Sequence, residues 1–298
     1  MKILVIGRNG QVGGALQHAL EGLGEIIALD RTQLDLSNLY AAREVIRSIR
    51  PKLIVNAGAY TAVDLAENDE AMAYRINAEA PGVLAEEAQR LGAGLIHYST
   101  DYVYDGGKSS AWLETDVTEP LSAYGRSKLA GEQAIAAVGL PHFILRTSWV
   151  YGLHGKNFLL TMLRLAQSRP ELSVVNDQVG APTWSMTIAQ ATASIIKKFP
   201  DFAAVDHLSG IYHLCARGQT SWFGFAEKIF AHSLIQQKPK LHPITTADYP
   251  TLAARPKNSV MNTNKFEQNF VALPAWDAAL GDCLQRIPVE APQLLKAN

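Results

Sequence analysis

Two groups of residues in this 298-residue chain have types and spacings that carry chemistry. One is the loop Gly7-Arg8-Asn9-Gly10-Gln11-Val12-Gly13, and the other is Tyr124-Gly-Arg-Ser-Lys128, well downstream. Glycines at 7, 10 and 13 permit a tight reversal and close approach of backbone to a pyrophosphate. A phenol with an ammonium one helical turn away can move a proton. Together the two describe hydride transfer between a nicotinamide and a carbonyl, which needs a held cofactor and an acid beside the reacting oxygen.

The Tyr-x-x-x-Lys spacing has meaning only on a helix, where residues four apart share a face. Tyr104-Asp-Gly-Gly-Lys108 repeats the spacing, but Gly106 and Gly107 argue against a helix there. Tyr124 and Lys128 instead open Ser127-Lys-Leu-Ala-Gly-Glu-Gln-Ala-Ile-Ala-Ala137, whose composition is helical. The expectation is that the Lys128 ammonium stabilises phenolate and lowers the Tyr124 pKa from its reference of about 10.

The elements that must position these groups are legible beside them. Lys2-Ile-Leu-Val-Ile6 is a short apolar run of the kind that forms a buried parallel strand, and residues 11 to 23 supply a helix whose N-terminal amides favour a phosphate. Asp30 ends the next apolar run, Glu25-Ile-Ile-Ala-Leu29, at the distance expected of a carboxylate on an adenosine ribose. Arg31 beside it can pair with a 2′-phosphate, so NADH and NADPH both remain open. A further strand, Leu95-Ile-His-Tyr98, leads into Ser99, Thr100, Asp101 and Tyr102. Ligands of open α/β sheets bind beyond the carboxyl ends of strands, where these polar residues fall. The hydroxyl of Thr100 or of Ser99 could hold a substrate carbonyl against Tyr124, although a strand-end cap is the ordinary role of either.

Glycine loop, Ser99-Thr-Asp-Tyr-Val-Tyr104 and Tyr-x-x-x-Lys, in this order, resemble the extended short-chain dehydrogenase/reductase superfamily of nucleotide-sugar enzymes. Val55-Asn-Ala-Gly-Ala-Tyr-Thr-Ala-Val-Asp64, Arg146-Thr-Ser-Trp-Val-Tyr-Gly152 and Asp177-Gln-Val-Gly-Ala-Pro-Thr183 carry the likeness through the first two-thirds of the chain. Within the superfamily it points to reductases of 4-keto-6-deoxy sugars carried on dTDP. The resemblance implies NADPH- or NADH-dependent reduction of dTDP-4-dehydro-L-rhamnose at C4, on a Rossmann-type doubly wound parallel sheet with a smaller, discontinuous substrate-binding domain.

The same resemblance implies residue roles. Tyr124 donates the proton, Lys128 supports it and grips the nicotinamide ribose, and Thr100 tunes the carbonyl. Gly7, Gly10, Gln11, Val12 and Gly13 form the pyrophosphate loop, with Asp30 and Arg31 at the adenosine ribose and Asp35 and Leu36 beside the adenine. Ala59, Tyr60 and Thr61 run along the cofactor, while Thr100, Asp101, Tyr102, Trp149 and Gln178 face the sugar. Without the resemblance, the ordinary reading of Trp149 is packing at a domain junction and that of Gln178 a solvated loop residue. Some superfamily members dimerise through a metal held by glutamates. The matching positions here are Ala15 and Met186, so no metal is expected, while a homodimer remains possible.

Two other readings use the same features. A 4-epimerase or 4,6-dehydratase would keep its cofactor through the cycle, but a dehydratase needs an Asp-Glu pair after the threonine, where this chain has Asp101-Tyr102. A non-catalytic, NADP-binding regulatory subunit would bind a partner enzyme, and the intact Thr100, Tyr124 and Lys128 argue against it.

Composition sets the remaining bounds. A net charge of −1 offers no long-range attraction for nucleic acid or an anionic membrane, so affinity for a nucleotide-sugar must come from local groups. Arg146, Lys156, Arg255 and Lys257 are candidates, with surface ion pairing as their ordinary role. Cys215 and Cys283 are far apart and the eight histidines lack metal-ligand spacing, which argues against disulfides and zinc. No run is long enough for a signal sequence or membrane span, and a cytoplasmic location is expected.

Strands at 53–56, 95–98 and 143–146 alternate with helical stretches near 38–49, 70–91 and 124–138, which predicts a parallel sheet covered on both faces. Beyond Gly152 the pattern becomes irregular: a helix at 156–168, a strand at 172–175, a helix at 188–199, and Ile211-Tyr-His-Leu-Cys215 returning to the main sheet. The division expected is 1–152 with about 184–218 as the dinucleotide-binding domain, and about 153–183 with 219–298 as the substrate-binding domain. The Pro-containing stretch 239–256 reads as loops.

Overall fold

A computed structural model describes residues 1–232 and 238–287. The first part of the chain runs β1 (Lys2–Ile6), α1 (Gln11–Ala19), β2 (Glu25–Leu29), α2 (Leu39–Ile49) and β3 (Leu53–Asn56). Next come α3 (Val63–Ala66) and α4 (Glu70–Tyr74), which passes through one wide π turn, Arg75–Glu79, into α5 (Ala80–Leu91). β4 (Gly94–Thr100), α6 (Ala123–Val138) and β5 (His142–Thr147) complete this part.

The second part contains β6 (Val150–Tyr151), α7 (Phe158–Ala166), β7 (Glu171–Val175), β8 (Val179–Gly180), β9 (Thr183–Trp184) and α8 (Ser185–Lys198). It continues through β10 (Gly210–His213), β11 (Thr220–Ser221), α9 (Trp222–His232), β12 (Lys240–Ile244), α10 (Asn264–Asn269) and α11 (Trp276–Gln285).

The main sheet has six parallel strands in the order β2-β1-β3-β4-β5-β10. Both faces are buried, so the strands read as continuous apolar runs rather than as alternations. Ile3, Val5, Val55 and Ile96 pack with Leu16 of α1 and Ile188 of α8, while Leu4, Ile6, Ile54 and Leu95 pack with Ile46, Leu84 and Ile135 of α2, α5 and α6. Each such fully buried side chain contributes about 1.5–3 kcal/mol. The chain reverses its direction of travel across the sheet between β1 and β3, and ligands of such sheets bind at the carboxyl ends beside that reversal.

A second core joins α7, α9 and α11 over β7 through Leu159, Leu163, Phe225, Ile229, Leu280 and Cys283. Two sequence expectations change here. Residues 240–244, expected as loop, form β12, which pairs in parallel with β7. Pro243 is tolerated because, among the described residues, this sheet has two strands, so each is an edge whose outer side needs no donor. Phe266 and Leu273, expected in the smaller part, pack instead into the core between the main sheet, α1 and α8.

Candidate functional site

The glycine loop is pinned at the end of β2: the amides of Gly7 and Arg8 both donate to the Leu29 carbonyl, at 2.9 and 3.1 Å. Gly7 has φ +86°, and a Cβ there would meet the Gly58 amide nitrogen at 2.8 Å, so the loops after β1 and β3 touch. A Cβ at Gly13 would lie 2.1 Å from the Gly7 carbonyl oxygen, which seats α1 directly on the loop. Gly10 occupies the N-cap of α1, and no side chain caps the helix. The positive end of α1 therefore opens into the cleft between the two parts of the molecule. That cleft has a volume of ≈ 710 Å³.

Gly7, Gly10, Gln11 and Val12 line the cleft, whereas Gly13 stands behind the loop as its packing floor. Asp30 lines it too. One of its oxygens accepts from the Thr32 amide and hydroxyl, and the other accepts from Asn9 and lies 3.1 Å from Arg8. The Thr32 hydroxyl is the leading cause holding the Asp30 carboxyl below the usual carboxylate range. Arg31 reaches toward Asp35 at 3.5 Å from an exposed position, and Asp35 and Leu36 form the wall beyond it.

Ala59 and Thr61 line the cleft after β3, but the Tyr60 ring does not. It packs with Ala66, Ala73 and Ala123, and its hydroxyl faces Asp69, which leaves the Tyr60 backbone, between Ala59 and Thr61, as the part beside the cleft. The Tyr60 backbone is clamped by Asn77, whose amide accepts from Tyr60 N at 2.8 Å and donates to Tyr60 O and to the Ser127 hydroxyl at 3.0 Å. Asn77 lies in the π turn, whose extra residue brings the side chain to bear on this loop.

Tyr124 and Lys128 lie one turn apart on α6, whose first turn is capped by Ser122. The helix rides close to its neighbours: a Cβ at Gly125 would meet Tyr102 O at 2.3 Å, and one at Gly131 would meet Asn77 O at 2.0 Å. The predicted depression of the Tyr124 pKa is not found. Burial pushes the phenol up to about 12, the Thr100 hydroxyl opposes this by hydrogen bonding, and Asp101 adds to it. Lys128 is turned away, donating to Tyr98 O at 2.6 Å and lying 3.1 Å from His97 Nε2.

The choice between Ser99 and Thr100 resolves by direction. Ser99 donates to Glu132 beneath the sheet, whereas Thr100 lies between Tyr124 and Asp101, donating to the latter at 3.1 Å and accepting from Tyr102 N. Asp101 also accepts from Ser148 at 2.8 Å, and burial lifts its pKa to about 6. Tyr102 meets Tyr124 edge-on, with ring centroids 5.6 Å apart.

Trp149 lines the cleft in the left-handed conformation, φ +47°, a strain of about 1–2 kcal/mol for a non-glycine residue. It is held by stacking on Trp222, with centroids 3.5 Å apart and planes 4° from parallel. Gln178, expected at the sugar, does not line the cleft. It accepts from Trp222 Nε1 at 3.2 Å and donates to Thr246, and so fixes the second indole from behind. Trp222 itself was missed, because a tryptophan opening a distant helix carries no motif.

Two of the proposed anion-binding cations are committed elsewhere. Arg146 is buried in a bidentate pair with Glu132, and Arg255 pairs with Asp64 at 2.7 Å. Lys156 reaches the cleft wall next to Gly155, and Lys257 is not part of that wall.

Residues 1–289 match the family model described as RmlD substrate binding domain. A dTDP-4-dehydrorhamnose reductase of Burkholderia thailandensis is 46% identical over 293 residues, covering 96% of this chain and 98% of that protein. A solved dTDP-4-dehydrorhamnose reductase from Clostridium acetobutylicum superposes with a TM-score of 0.90 at 36% identity, covering 97% of this chain and all (100%) of that one. Another, from Bacillus anthracis and in complex with NADP, gives 0.87 at 37% identity, covering 96% and 100%.

Proposed function

This chain belongs to the RmlD substrate binding domain family, and from that membership we propose that it reduces the C4 keto group of dTDP-4-dehydro-L-rhamnose to give dTDP-L-rhamnose, with NADPH or NADH as reductant. The observation that carries the reading is the meeting, in one cleft, of an uncapped helix on a glycine loop with the Thr100, Tyr124 and Lys128 cluster.

A dinucleotide fits the donor set. The α1 amides and Lys156 suit a pyrophosphate, and the Asp30 carboxylate suits a ribose diol. The neighbouring Arg31 suits a 2′-phosphate, which is why either reductant is expected to serve. When bound, the reduced nicotinamide supplies the hydride. The chain supplies the rest: Thr100 and Tyr124 converge on one point where a carbonyl oxygen can sit, and Tyr124, fully protonated at neutral pH, gives its proton to the alkoxide as charge develops. Lys128 holds the nicotinamide ribose, and Asp101, Tyr102 and the Trp149 face bound the sugar.

The division of labour follows the two cores, with residues 1–152 and about 184–218 holding the dinucleotide and most of 153–183 and 219–298 shaping the sugar pocket. No helix among the described residues is long and apolar enough to cross a membrane, and the cytoplasm, where reduced nicotinamide is supplied, is the proposed compartment. A homodimer is the proposed assembly, which light scattering would test.

The deciding assay is nicotinamide oxidation on mixing purified protein with enzymatically generated dTDP-4-dehydro-L-rhamnose, run separately with NADH and NADPH. Stoichiometric oxidation supports the reading. Tightly retained oxidised NAD without turnover would favour an epimerase, and nucleotide binding without turnover a regulatory subunit.

A further inference from the structure

The hydrogen bonds around Lys128 leave one arrangement of protons. Asn56, at the end of β3, accepts from the Gly58 amide with Oδ1 at 3.1 Å, which orients its carboxamide so that Nδ2 points at His97 Nδ1, 3.0 Å away. An NH2 group only donates, so His97 Nδ1 must accept and carries no hydrogen. Burial holds the imidazole neutral, so its single hydrogen sits on Nε2. That N–H points at Lys128 Nζ, 3.1 Å away. An ammonium has three donors and no acceptor, so it cannot receive this bond, whereas a neutral amine can while still donating to Tyr98 O.

We infer that His97 is a positioning residue for Lys128, whose Nε2–H holds Nζ as a neutral amine, and that Lys128 takes up one proton from solvent when it leaves His97 for the nicotinamide ribose. The proton balance is simple: amine, oxidised dinucleotide and one solvent proton give ammonium in the complex.

The surroundings of Lys128 agree. From α6 it faces Glu132, which favours the charged form but is itself closed by Arg146 from β5. From β4 it faces His97 and the Tyr98 carbonyl, and Asp101 beyond β4 is bonded to Thr100 and Ser148 rather than to Lys128. Burial dominates and lowers the Lys128 pKa to about 8, so in the cofactor-free protein the neutral amine prevails above that pH, which is where proton uptake is to be read.

The inference rests on the proposed cofactor site only for the uptake step, and the proton on His97 can be read without it. In cofactor-free protein labelled with 15N-histidine, the His97 ring, assigned through the spectrum of His97→Gln, should show Nδ1 as pyridine-type and Nε2 as pyrrole-type. The opposite tautomer or an imidazolium overturns the inference. Calorimetric titration with NADP+ in buffers of differing ionisation enthalpy, at a pH above about 8, should report uptake approaching about one proton per site. In His97→Gln the carboxamide oxygen can accept from an ammonium, so uptake should fall by more than half while the melting curve stays cooperative. Uptake absent from the wild type, or unchanged in His97→Gln, overturns the inference. Failure to bind NADP+ at all overturns the cofactor-site reading instead, and the 15N spectrum still decides the tautomer.

Discussion

Tyr124 is an acid by virtue of burial, since the environment that raises its pKa also keeps the proton in place until an alkoxide forms. Tyr124→Phe should lower kcat/KM by roughly 10²–10⁴, the range for a positioned general acid, while nucleotide affinity by fluorescence titration stays within about twofold. Asp101 titrates in the opposite sense to most paired carboxylates. Its folded pKa of about 6 exceeds the unfolded value, so its contribution to stability is lost as pH rises from about 4 to about 6 and stays lost above. Asp101→Asn should therefore be stabilised at pH 7 relative to wild type by up to about 3 kcal/mol, with no advantage at pH 4, as denaturant unfolding at the two pH values would read. At this scale the sequence was informative wherever position along a strand determines direction. Thr100 ends β4 and Asp101 follows it, so a place in the cleft could be read from their order. Tyr60 and Gln178 could not be read so, because their side chains answer to Asp69, nine residues on, and to the distant Trp222, neither of which a motif marks.

At the scale of elements, α6 carries Tyr124 and Lys128 at an offset set by two glycines that let it nearly touch its neighbours. Gly131→Ala would drive a methyl to 2.0 Å from the Asn77 carbonyl, a backbone atom of the π turn that cannot rotate aside. The expected cost is about 1–3 kcal/mol, read as a lowered urea midpoint, with a fall in kcat because Asn77 also clamps the Tyr60 loop. Gly82→Ala is the matched control: its added methyl meets Ala134 Cβ at 3.3 Å and should change the midpoint little. The helices and strands of the main sheet were legible because apolar runs and helical composition alternate over its length. The π turn was not, since residues 70–91 have one helical composition throughout and the extra residue answers to a tertiary contact. β12 was hidden by Pro243, whose missing donor argues against a strand wherever both edges are paired and is harmless in a two-stranded one.

For the whole molecule, the cleft exists because the chain builds two cores and returns from the second to finish the first sheet. The parallel order of the main sheet was foreseeable from its rhythm. The composition of the far wall was not, because it depends on how α9 is presented after a long irregular stretch. Trp222 is the contribution of that wall, and it meets Trp149 from the near side. Trp222→Ala should release Trp149 from its strained left-handed backbone and raise KM for the sugar by roughly tenfold, with the dinucleotide Kd little changed, because the indole comes from α9 and packs on Trp149 rather than on the glycine loop. Steady-state kinetics with each substrate varied in turn would show the split.

Two parallel indoles at 3.5 Å are also coupled chromophores. Their electronic transitions mix, so, with the two ring axes turned relative to one another within their parallel planes, the protein should show a paired positive and negative band of tryptophan origin in its ultraviolet circular dichroism, absent from either single alanine variant. A sugar that wedges between the rings or tilts one of them will change that band without any label. The architecture that walls the pocket thus doubles as an optical gauge of its occupancy, readable in stopped flow on a timescale that could separate sugar entry from the chemical step.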